Sequence, residues 1–179
     1  MVSGDGEASA PCVCSSGSRT GDGWLDAVVH VTARADYAVR AVIELAARLP
    51  DSATRQQIAE SQDIPGKFLE AILGDLRRAG LLDAQRGAAG GYRLVREPAQ
   101  IRLADVIRAA EGPLAAVRGR PPEDTSYPGP AAPLTDVWVA VRASLRDVLE
   151  ETTVADVLAD RLPAHVRALA DRPDSWVRR

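Results

Sequence analysis

The spacing of apolar residues along the chain predicts a mainly α-helical protein with one short β-hairpin. Tyr37, Val39, Val42, Ile43, Leu45, Ala46 and Leu49 recur at helical intervals from Thr32 onward, until Pro50, which lacks an amide hydrogen, stops the run. Thr54 and Gln57 have the spacing of a capping box, in which each side chain satisfies a free backbone amide, and open a short second helix to about Ser61. After a break at Gln62 and Asp63, Pro65 suits a first helical position, and Phe68, Leu69, Ile72, Leu73 and Leu76 form one apolar stripe that Gly80 ends. The opposite face of this third helix carries Lys67, Glu70, Ala71, Gly74 and Arg77. These residues are short or polar, which suits either solvent or a close approach to another surface.

Residues 81–85 and 92–95 are short extended segments around Arg86-Gly-Ala-Ala-Gly-Gly91, where Gly87, Gly90 and Gly91 permit the positive φ of a tight turn. A fourth helix is expected over 101–111, ended by Gly112-Pro113, followed by a proline-rich loop from Val117 to Pro133. Leu134, Val137, Trp138, Val141, Leu145, Val148 and Leu149 then trace a long amphipathic helix, with Val154, Val157 and Leu158 in a shorter one. A long apolar stripe needs a cover, and Val137, Trp138, Val141 and Leu145 are the expected homodimer interface.

Composition sharpens this picture in three places. With 179 residues, 46% of them apolar and only 4% aromatic, the chain can build one core from small aliphatic side chains, which suits closely packed helices. The net charge of -3 looks unsuited to a polyanionic partner, but residues 1–30 alone carry -3, with Arg19 against Asp5, Glu7, Asp22 and Asp26. Residues 31–108 hold twelve basic against ten acidic side chains, a mild positive balance. The two cysteines, Cys12 and Cys14, lie in the acidic, Gly/Ser-rich start, so the globular part offers no thiol for a disulfide, a thiolate site or a nucleophile. His30 and His165 are too few and too scattered for a metal site. Ser144 has no His or Cys near it in sequence, and the hairpin glycines lack the lysine of a phosphate loop, so no enzyme is expected. With no apolar run of bilayer length and no signal-peptide pattern, a cytoplasmic protein is expected.

A capped short helix, a tight break, a second helix with a polar outer face and a glycine-tipped hairpin follow the order of a winged helix-turn-helix. In that arrangement one helix enters the major groove of double-stranded DNA and the hairpin carries a cation to the minor groove. The same unit also serves as a protein-interaction module, and the near-neutral charge keeps that alternative open. The expected division is an N-terminal extension over 1–28, disordered or mis-assigned, a DNA-binding unit over 29–112 and a loop over 113–133. Dimerisation helices over 134–162 and a C-terminal tail over 163–179 complete it.

Three stretches carry a family resemblance: Val31-Thr-Ala-Arg-Ala-Asp-Tyr-Ala-Val-Arg40, Ile64-Pro-Gly-Lys-Phe-Leu-Glu70 and Arg86-Gly-Ala-Ala-Gly-Gly-Tyr-Arg-Leu94. The chain there resembles the Rrf2 family of transcriptional regulators, and the likeness continues through Ile107-Arg-Ala-Ala-Glu-Gly-Pro-Leu114 to Asp156. The resemblance implies a winged helix-turn-helix dimerised through a long C-terminal helix, acting as a repressor on a pseudo-palindromic operator. By position it implies that Lys67 and Glu70 lie at the DNA-facing start of the recognition helix, and that Arg86, with Gly87, Gly90 and Gly91, forms the wing tip. It places Thr32 and Arg34 at phosphates. Each position has a plainer reading: a solvated charge for Glu70, a solubilising turn residue for Arg86, a helix cap for Thr32. Many family members carry three cysteines before the long helix and bind a cluster with them. Here no cysteine stands there, and Thr135 occupies the place of a histidine ligand. A member without cofactor, responding to a small molecule or a partner protein, is therefore expected.

Overall fold

The computed structural model describes residues 31–85 and 90–177. Helix α1 (Ala33–Ala47) begins where the Thr32 hydroxyl accepts from the Ala35 amide at 3.1 Å, and Asp36 favours the positive end of the helix dipole. Ala35, Ala38 and Ala41 alternate with Val42 and Leu45 on its buried face, and such small side chains let neighbouring helices approach closely. Helix α2 (Arg55–Gln62) is opened by the expected capping box, with Thr54 and Gln57 each satisfying the other's backbone amide. Asp63, in the left-handed region at φ 50°, turns the chain into α3 (Gly66–Arg78). Leu69, Ile72, Leu73 and Leu76 of α3 are wholly buried. Phe68 departs from the expected stripe: it is 57% exposed, because it sits about a quarter-turn of the helical wheel from the centre of the buried face.

Strands β1 (Leu82–Gln85) and β2 (Gly91–Leu94) pair antiparallel, with Leu82 opposite Leu94 and Gln85 opposite Gly91. Tyr92 exchanges backbone hydrogen bonds with Ala53, its amide donating to Ala53 O at 2.8 Å and its carbonyl accepting from Ala53 N at 3.0 Å. The hairpin is thus tied to the segment between α1 and α2. Helix α4 (Leu103–Glu111) packs on α1 and α3 and ends at Gly112, whose φ of 92° no branched side chain adopts easily.

The segment expected as a plain loop before the long helix folds into two short 3-10 turns, Pro122–Asp124 and Gly129–Ala131, with Pro122 buried. Helix α5 (Leu134–Leu149) follows, with no residue fully buried. Helix α6 (Val154–Leu158) packs on α1, with Val154 inside the core cluster. It is drawn there by backbone bonds from Leu103 N to Thr152 O at 3.0 Å and from Val154 N to Ile101 O at 2.9 Å. Residues 163–179, expected as a tail, contain a further helix, α7 (Ala164–Ala170), whose end is closed by Ser175 and Trp176 donating to Leu169 O and Ala170 O. No helix among the described residues is long and apolar enough to cross a membrane.

Candidate nucleic-acid interface

The candidate interface is built on α3. Burial of Leu69, Ile72, Leu73 and Leu76 turns Lys67, Ala71, Gly74 and Arg78 to the opposite side, with Glu70 on the flank nearer α2. Lys67, Glu70, Ala71, Arg77 and Arg78 are exposed, and nothing larger than alanine stands between Lys67 and Arg78 on the outermost line. A helix with so low a ridge can sit deeply in a major groove. Arg78 pairs with Asp75, so its guanidinium is held close to the helix.

Of the residues singled out from sequence, the structure brings Lys67 and Glu70 to one exposed end of α3. Glu70 forms an ion pair with Arg55, the first residue of α2. Sequence reasoning passed over Arg55, since nothing local marks a partner fifteen positions away; the start of α2 lying beside the start of α3 is the geometric signal. Thr32 serves as the cap of α1 and donates its hydroxyl hydrogen to Glu111. Arg34 is committed within the fold, its Nε donating to Ala110 O at 2.8 Å and its terminal nitrogen pairing with Asp75. That arginine links the first turn of α1 to the end of α4 and to the recognition helix. Phe68 stacks at a tilt against Tyr37, with centroids 6.4 Å apart, and Arg40 lies over the Tyr37 ring at 5.7 Å.

Arg86 and Gly87 fall outside the described residues. Gly90 is half-buried, and Gly91 is the first residue of β2 rather than a turn residue. A Cβ at Gly91 would stand 2.7 Å from both the carbonyl carbon and the oxygen of Ala53, so only glycine lets the hairpin dock on that backbone. Its requirement is close approach, not positive φ.

The loop and α5 form a second candidate region. Thr135 donates to Thr125 O at 2.9 Å, Trp138 Nε1 donates to the Tyr127 hydroxyl at 3.1 Å, and Arg118 lies over the Tyr127 ring at 5.7 Å. Trp138 is therefore covered in part by its own loop, whereas Val137 is 50% exposed and Val141 and Leu145 are half-buried. At the far end of α5, Arg108 donates to Glu150, and that hydrogen bond holds the Glu150 carboxyl below its usual pKa.

Comparison with known proteins agrees with this geometry. The model of the Rrf2 family, described as iron-dependent transcriptional regulator, matches residues 31–160. A protein of Mycobacterium tuberculosis strain H37Rv named as an HTH-type transcriptional regulator is 47% identical over 144 residues, 80% of this chain and 89% of that protein. The HTH-type transcriptional regulator CymR of Bacillus subtilis is 33% identical over 130 residues, 72% of this chain and 89% of CymR. Among solved structures, B. subtilis CymR, described as the global cysteine regulator, superposes with a TM-score of 0.61 at 28% identity, covering 73% of this chain and 97% of CymR. IscR of T. potens superposes with a TM-score of 0.61 at 33% identity, covering 73% and 87%. The mainly helical fold with a two-stranded hairpin is the winged helix of these structures.

The family description names iron, so the donor set matters. Residues 113–133 and α5 contain no cysteine or histidine, and Thr135 spends its hydroxyl hydrogen on a backbone carbonyl. No group of three or more His, Cys, Asp or Glu placed to hold a metal occurs among the described residues. Hydroxyl and carbonyl oxygens are poor ligands for iron–sulphur clusters, so these residues do not fit such a group. Cys12 and Cys14 lie outside the described residues.

Proposed function

We propose, since the chain belongs to the Rrf2 family of transcriptional regulators, that it is a repressor which binds a pseudo-palindromic operator as a homodimer. The observation that carries this reading is the division of α3 into a wholly buried face and a low outer face that begins with Lys67 and Glu70 beside an antiparallel hairpin. Lys67 and Glu70 meet base edges or nearby phosphates, and Arg86, with Gly87 and Gly90 beside it in sequence, is the residue that reaches the minor groove. Gly91 docks the wing. Thr32 and Arg34 act at the start of α1, where Thr32 can turn to a phosphate by releasing Glu111, and Arg34 orients the recognition helix through Asp75.

The homodimer reading is supported by α5, whose apolar side chains Val137, Val141 and Leu145 are incompletely covered by the described residues of their own chain. A small molecule or partner protein acting at the 117–133 loop would bias the spacing of the two recognition helices. Fluorescence anisotropy against genomic fragments across salt concentrations tests the reading. A repressor gives a tight subset of fragments and a steep loss of affinity with salt; uniformly weak binding would favour a protein-interaction module instead. In the same assay Arg86→Ala should weaken operator binding by about 1–3 kcal/mol with the fold intact.

A further inference from the structure

The ion pair between Arg55 and Glu70 joins the first residue of α2 to the flank of α3 across the helix-turn-helix. Both side chains are largely solvated, at 48% and 69% exposure, so the pair contributes little to folding stability. Its position is more informative than its strength. A carboxylate on the face that meets a polyanion is repelled by phosphates unless a cation neutralises it, and Arg55 supplies that cation from the adjacent helix.

The contact is also directional. Arg55 donates to Glu70 Oε2, which leaves the lone pairs of Oε1 able to accept from a second donor. Cytosine N4 and adenine N6 are the amine donors on the major-groove base edges, and the N7 acceptor beside the adenine amine repels a carboxylate, as the acceptors of guanine and thymine do, so cytosine is the base a glutamate accepts from. The remaining guanidinium N–H groups stay available for a phosphate.

We propose that Arg55 is a positioning residue for sequence readout: it holds Glu70 Oε2 so that Oε1 accepts from a cytosine amine of the operator. This rests on the DNA-binding reading above. It differs from a simple phosphate contact by Arg55, which would raise affinity for every sequence alike and would not depend on residue 70.

The test uses the full chain and a duplex selected by the unsubstituted protein from a random-sequence library. Affinities are measured for the unsubstituted chain, Arg55→Ala, Glu70→Gln and the double variant. Each is titrated against that duplex and against versions in which single C·G pairs of the half-site become T·A. Arg55→Ala is expected to lower affinity about tenfold and to flatten the preference at one cytosine, and in the Glu70→Gln background its effect should shrink to about twofold or less. Far-UV circular dichroism checks that each variant is folded. Equal losses in both backgrounds, or a cytosine preference that survives Arg55→Ala, would overturn the pairing role while leaving the repressor reading intact. Failure of the unsubstituted chain to select any duplex would overturn both.

Discussion

Helices α3 and α5 carry similar amphipathic patterns and meet different ends. In α3 the stripe Leu69, Ile72, Leu73 and Leu76 is completely shielded by α1, α2, α4 and the hairpin of its own chain. In α5 no residue is fully buried, and Val137 is half exposed. The pattern of a helix announces that a face will be covered; it does not say whether the cover lies in the same molecule. Of the two, only α3 finds a complete cover among the described residues of its own chain.

The largest effect that would test this contrast is Leu73→Ala. Removing a wholly buried leucine from the shared core should lower stability by about 2–5 kcal/mol in urea unfolding. The matching substitution on the other helix, Val141→Asp, should leave the far-UV spectrum of the winged unit in place but convert a dimer at micromolar concentration into a monomer by sedimentation. If Val141→Asp lowers stability in urea as much as Leu73→Ala does, α5 is part of the core and the contrast fails. A smaller effect belongs to Gly91→Ala, where the added Cβ meets the Ala53 backbone. It should cost about 1–3 kcal/mol and increase hydrogen exchange at the amides of Ala53 and Tyr92, whereas unchanged protection would show that the hairpin is not docked there.

The smallest effect concerns α6, which shares the core with α3 rather than the solvated position of α5. The Thr153 hydroxyl, and then its backbone amide, donate to Asp156 and depress that carboxyl below its ordinary pKa of 3.8. A folded-state pKa below the unfolded one means that the contribution is complete above the ordinary value and is lost as pH falls through the depressed one. Thr153→Ala should remove about 1 kcal/mol near neutral pH and flatten the acid limb of thermal stability. An unchanged acid limb would assign the pH dependence to other carboxylates.

What was legible in the sequence was local. Thr54 and Gln57 announced α2 because a capping box lies within four residues, and the glycines around Arg86 announced the hairpin by turn chemistry. The winged helix-turn-helix followed from their order. What was not legible depends on contacts between residues far apart along the chain. Arg34 reaches Asp75, Arg55 reaches Glu70, and Gly91 lies against Ala53, none of which periodicity can announce. Phe68 falls in the predicted stripe because apolar character alone does not resolve a quarter-turn on a helix, and α7 escapes the pattern because Val166 and Leu169 are its only large apolar residues and none of its residues is buried.

The return of the chain from α5 to the body, through the bonds that tie Ile101 to Val154 and Leu103 to Thr152, has a mechanical consequence. A rod pinned at one point swings in any direction, whereas one braced at both ends turns chiefly about the line joining its mounts. Helix α5 is braced in front by the loop bonds of Thr135 and Trp138 and behind by this backbone clasp and the Arg108–Glu150 bond. The rear mounts join it to α4, and Arg34, bonded to Ala110 O and to Asp75, ties α4 in turn to the last turn of α3.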